Sequence, residues 1–258
     1  MKRLASPTML FLLVLLITRG ASGQEASRHE AQNAGPPPAI KLQEIPLELD
    51  SGDWKPGDPM PVYVIPFYNS RGPTVDVGEF SKPLASAKRG TIHGVAAVMK
   101  EKWDTLPIEA MYVVAIRLYD LGRKDEAVYW FYSSQYRAWL FQSLLSESEN
   151  PRNIGAPAFE AGCAHAAFDE LAGEYINGYA GGNVEKWKSA IKAAQSEGKK
   201  TLPKFMLIYP AVRFIPTDRW ADKNKEGAGE LSKLLNFIET QGDELKVQRK
   251  KNGIEGKY

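Results

Sequence analysis

The chain has 258 residues, with 33 basic and 31 acidic side chains and a formal charge of +2. A balance so close to neutral argues against a nucleic-acid or membrane-surface partner recruited by bulk electrostatics. A single cysteine, Cys163, excludes an intramolecular disulfide, so an ordinary hydrophobic core must carry the stability.

Residues 1–23 read as a secretory signal. Lys2 and Arg3 form its charged end, 9–17 is an apolar run too short to span a bilayer, and Ala21-Ser22-Gly23 supplies small residues for cleavage. Gln24 then begins a mature chain that is periplasmic or secreted and not inserted in a membrane. Arg19, directly after the run, favours the alternative of a retained anchor. Cleavage removes Lys2, Arg3 and Arg19 and no acid, which takes the net charge from +2 to −1. Residues 24–56 read as a flexible linker stiffened by Pro36-Pro37-Pro38, and 57–258 as one mainly helical domain.

Within that domain, 60–68 is short, apolar and interrupted by Pro61 and Pro66, which argues against a central strand. Arg71-Gly72-Pro73 is a turn, and 74–80 alternates like a second extended piece. Together they suggest an extended strap or hairpin lying on helices. A helix is expected over 94–103, with His93 as a turn or capping residue just before it.

The stretch 106–141 predicts two antiparallel helices. Ile108, Met111, Tyr112, Ala115, Leu118 and Tyr119 recur at three- and four-residue steps, and Val113, Val114 and Ile116 make the other faces apolar as well. Gly122 suits a helix C-cap, and Asp125 and Glu126 suit the next N-terminus. Seven aromatics fall between Tyr129 and Phe141, which marks the main packing centre. Ala110, Tyr112, Ala115, Leu118-Tyr119, Gly122, Asp125-Glu126-Ala127 and Phe131 resemble one tetratricopeptide repeat over 107–141. Met111 and the lack of a closing proline near 141 depart from that pattern. The resemblance implies stacked antiparallel hairpins that offer a protein-binding surface. The remainder resembles uncharacterised exported bacterial proteins.

After a loop over 150–157, a helix is expected over 159–179, with Cys163, Ala167, Leu171 and Tyr175 four apart. Gly181-Gly182-Asn183 turns the chain into another helix through Trp187, Ile191 and Ala194. This forms a degenerate second copy near 159–196, with Trp187 where the first hairpin has Ala127. Pro203, Pro210 and Pro216 frame two short apolar pieces over 203–216, read as strands that could pair with the 60–68 region. A last helix is expected over 225–250, with Leu231, Leu234, Leu235 and Ile238 on one stripe.

Motifs for chemistry are sparse. Cys163 and His165 are two residues apart, about 200° around a helix, and cannot pair as nucleophile and base within it. His165 and Asp169 lie one turn apart, with Glu170 beside them and Glu174 one turn further. A metal site needs three or four convergent ligands, and no cofactor or metal is expected. The sequence holds no phosphate loop, GxSxG elbow or HExxH. Two readings follow: a non-enzymatic exported module that binds another protein, such as an envelope component or an enzyme to be inhibited, or an envelope enzyme centred on His165, Asp169 and Glu170. For the first, Tyr129, Tyr132 and Tyr136 form a stripe at steps of three and four that suits a contact face. The competing reading packs this stripe in the core, and Trp130 and Phe131 are expected inward.

Overall fold

The computed structural model describes residues 60–61, 74–75, 77–85, 89–149 and 155–258. The expected signal and linker lie outside the described residues. The fold is mainly α, as the periodicity predicts. Its helices are α1 (Ser81–Ala85), α2 (Arg89–Glu101), α3 (Ile108–Asp120), α4 (Lys124–Leu144), α5 (Pro157–Ala180), α6 (Val184–Lys200), α7 (Phe205–Ile208) and α8 (Trp220–Lys251).

The first hairpin is α3 with α4. In α3, Ile108, Leu118, Tyr119 and every residue from Ala110 to Ile116 are buried. Each large apolar side chain so removed from water contributes about 1.5–3 kcal/mol. Gly122 ends the helix with φ +78°, in the left-handed region. The Gly122 and Arg123 amides then donate to Tyr119 O at 3.0 Å and Leu118 O at 2.8 Å, which satisfies carbonyls that the helix end would strand.

Helix α4 is the axis of the molecule. It packs against α3, α5, α6 and α8, and its aromatic run is buried on several sides. Trp130 and Phe131 do lie inward.

The second pair of helices departs from the first. Helix α6 meets α5 only sparingly and packs instead on α4 and α8. The indole of Trp187 is buried on the α4 side, where its Nε1 donates to Tyr132 Oη at 2.8 Å. Asn183 caps α6, its side chain accepting from the Lys186 amide at 3.1 Å. On α5 the buried stripe is His165, Phe168, Ala172, Ile176 and Ala180, while Cys163 and Ala167 face outward.

Other boundaries shift. Met60–Pro61 and Thr74–Val75 form a two-residue antiparallel ladder, pairing Met60 with Val75. His93 lies inside α2 on its exposed face, not at its cap. Over 203–216, the first expected strand is the one-turn helix α7. The second bridges Leu145 with Phe214 at the end of α4. The Ile215 amide donates to Leu144 O at 2.8 Å there. Helix α8 begins at Trp220, earlier than its leucine stripe suggests, where the indole donates to Ile215 O at 2.9 Å.

Candidate functional site

Glu109 is the only acid in α3 before Asp120, in a helix otherwise apolar nearly all round. It must therefore find partners as it is drawn inward. Helix α5 runs beside α3 and brings His165 Nε2 to 3.1 Å from Glu109 Oε1. Tyr209, just after α7, donates to Glu109 Oε2 at 2.8 Å, and its oxygen accepts from the Ile108 amide at 3.2 Å. One turn further along α3, Tyr112 donates to Asp169 Oδ1 at 2.5 Å. Aromatics wall the cluster. Phe141 stands edge-on to His165 and to Tyr209, and Tyr112 stacks on Phe168 with centroids 5.3 Å apart.

Burial and pairing push these groups in different directions. Burial raises Glu109, but the His165 hydrogen bond and charge, with help from the backbone and Tyr209, outweigh it and hold the carboxyl below its usual value. Burial dominates at Asp169 and raises it to about 6, against the lowering effect of bonds from Tyr112 and Gln135. Tyr112 and Tyr209 are both raised, first by burial and then by the neighbouring carboxylates. His165 is 3% exposed. Its Nε2 is bonded to Glu109, and its Nδ1 is buried with no hydrogen-bond partner among the described residues.

The structure thus gathers His165 and Asp169, although through partners on α3 instead of each other. Glu170 is exposed and outside the cluster, as are Cys163 and His93. Among the described residues no group of three His, Cys, Asp or Glu side chains converges to hold a metal ion.

The tyrosine stripe is not an open face. Tyr132 is fully buried, donating to Asn177 Oδ1 at 2.8 Å while it accepts from Trp187. Tyr136 is buried against α6 and α8, with its hydroxyl 2.7 Å from Asn224 Oδ1. Only Tyr129 is partly accessible, with the Lys100 ammonium 4.6 Å above its ring. The core reading of Tyr132 and Tyr136 therefore holds, because α6 and α8 both settle on that flank of α4.

Against known proteins, the chain is 27% identical over 191 residues to an uncharacterized protein of Haemophilus influenzae, a match covering 70% of this chain and 67% of the relative. No family model matches it. No solved structure matches it.

Two further features of the surface stand out. Leu202, Met206 and Leu207 are 37%, 54% and 70% exposed around α7, while Phe205 in the same turn is fully buried. Phe205 stacks on Phe214 and tilts against Trp220, so the exposed side chains stand on a rigid base. Elsewhere a cavity of about 60 Å³ lies between the C-terminal ends of α5 and α8, bordered by Asn177, Trp187, Arg249 and Tyr258. It shares no residue with the His165 cluster.

Glu109, Tyr112 and Tyr209 are the cluster members whose roles the sequence reading missed. A lone acid on an all-apolar helical face was the available signal for Glu109. Tyr209 gave none, since its bond to Glu109 spans 100 residues.

Proposed function

We propose that the chain is a non-enzymatic, exported module that binds another protein through the knuckle around α7. The observation that carries this reading is the outward pairing of Met206 with Leu207 on a turn fixed from behind by Phe205. Contiguous exposed apolar side chains on a rigid support mark contact surfaces more often than scattered ones do. Methionine adds a side chain that adapts to varied partners. The likeness of 107–141 to a tetratricopeptide hairpin supports the same class of function. Among the described residues no helix is long and apolar enough to cross a membrane, which is compatible with export.

A photo-reactive amino acid at position 207, irradiated in the native envelope, tests the reading. A discrete cross-linked band that is absent when the probe stands at exposed Glu244 is expected. Identical patterns from both positions would sink the assignment. Mass spectrometry of the mature N-terminus tests export separately, with Gln24 as the expected first residue.

The alternative, an envelope enzyme centred on His165 and Asp169, draws on the unpartnered Nδ1 of His165. Diethyl pyrocarbonate separates the two readings. A closed structural histidine stays unmodified in the folded protein, whereas a catalytic one reacts.

A further inference from the structure

At the opposite end of α3 from Glu109, Tyr119 and Tyr179 form two walls of a box, with Tyr175 beside Tyr119. The Tyr119 ring stands edge-on to Tyr175 at 6.5 Å and 76°, and to Tyr179 at 6.5 Å and 85°. Tyr175 and Tyr179 are one turn apart on α5 and half-buried, so the box opens to solvent. A cation sits in it: Lys124 Nζ lies 4.8 Å from the Tyr119 centroid and 5.4 Å from that of Tyr179. The ring faces carry partial negative charge, and perpendicular rings present two such faces to one ammonium.

Lys124 is the first residue of α4, where the helix dipole disfavours positive charge. Among the described residues it forms no ion pair, although Asp125 beside it is exposed and pairs with Lys186 at 2.7 Å. Asp125 also accepts from Tyr179 Oη at 2.8 Å, which fixes that wall and sets a carboxylate on the rim.

We propose that the Tyr119–Tyr179 box is a binding site for the ammonium of a lysine side chain on a partner protein, with Lys124 as the resident stand-in that the partner displaces. The site is at the far end of α3 from the α7 knuckle and does not depend on it. Recognition is by charge on a ring face. Displacing Lys124 weakens the partner's apparent affinity, so removing Lys124 should strengthen it.

The test is a titration of the full chain, carrying 13C-labelled tyrosine rings, with N-acetyl-lysine methylamide, followed by NMR. The expected result is saturable shifts of the Tyr119 and Tyr179 rings. Affinity should be at least fivefold higher in Lys124→Ala, and binding should be lost when Tyr179→Leu is added. The neutral ε-acetylated analogue should cause no shifts. Absence of saturable shifts in both wild type and Lys124→Ala overturns the proposal, as does equal binding of the neutral analogue. Binding of choline in place of the lysine analogue overturns the lysine assignment. If both Lys124→Ala and Lys124→Gln lose the fold by circular dichroism, Lys124 is a structural cation and the proposal also fails.

Discussion

His165 Nε2 faces Glu109 Oε1 across the α3–α5 interface at 3.1 Å, and both oxygens of that carboxylate are in use because Tyr209 holds the other. One carboxylate thus joins three segments: α3, α5 and the chain after α7. Removing it should cost more than removing either partner. Glu109→Ala strands a buried imidazole and a buried phenol, each at about 1–3 kcal/mol. Tyr209→Phe removes the hydroxyl that donates to Glu109 and accepts from the Ile108 amide, and should cost about 1–3 kcal/mol. Urea denaturation reads this order directly from the midpoints. Equal midpoints for the two variants would show that the carboxylate is not the hub.

The same region should make stability depend on pH through Asp169. Its folded value, about 6, lies above the ordinary carboxyl value of 3.8, so the folded protein binds the proton more tightly than the unfolded chain does. Stability from this group is therefore highest below about pH 4 and falls as pH rises toward 6. Glu109 runs the other way, because its lowered value adds stability above the ordinary glutamate range that is lost in acid. The clean readout is the difference between wild type and Asp169→Asn, which keeps an oxygen for Tyr112. That difference should grow in favour of the variant between pH 4 and 7, reaching about 1–3 kcal/mol. Parallel pH curves for the two proteins would contradict the burial of this charge.

Two glycines make a matched pair. A Cβ at Gly198 would run into the buried Tyr136 ring, whereas one at Gly229 meets nothing within 4 Å. Both lie within helices, where alanine is favoured over glycine by about 1 kcal/mol. Gly229→Ala should therefore raise the melting temperature. Gly198→Ala should lower it, since forcing a packed ring aside costs about 1–3 kcal/mol. A rise in both variants would mean that Tyr136 is free to move, and would reopen the flank of α4 as a surface.

The first hairpin could be read from sequence because its signals are local. Ile108 to Tyr119 keep their spacing within one helix, and Gly122 stops that helix through its own backbone. The second pair was read as a copy of the first because Gly182 and Tyr179 repeat the spacing of Gly122 and Tyr119. In the structure Trp187 bonds to Tyr132, 55 residues earlier, and α6 packs mainly on α4 and α8. The fate of Tyr132 and Tyr136 was likewise undecidable locally. Tyrosine suits either a half-exposed face or a buried polar bond, and the choice rested on where α6 and α8 land. The polar cluster was half visible: His165 and Asp169 share a face of α5, but the groups that hold them lie on α3 and after α7.

Arg137 provides the last test, because it is a buried charge held by carbonyls. It is 3% exposed in the middle of α4 and donates to Leu106 O at 2.8 Å and to Trp103 O. Its guanidinium also lies 5.1 Å from the Trp103 ring. Among the described residues no carboxylate forms an ion pair with it, and burial pulls its value down to about 10. The arginine spans two carbonyls on the short connection between α2 and α3, so it orders the entry into the first hairpin. Lysine is a point charge without the planar fork and cannot bond both carbonyls while stacking on the indole. Arg137→Lys should therefore lose about 1–3 kcal/mol even though the charge is kept. Arg137→Met removes the charge and its desolvation cost but leaves both carbonyls unpaired, and it should fall in the same range. Trp103 fluorescence should report the loosened connection in both variants before global unfolding. A lysine variant with wild-type stability and an unchanged Trp103 signal would show that charge alone, not the two-carbonyl fork, holds this joint.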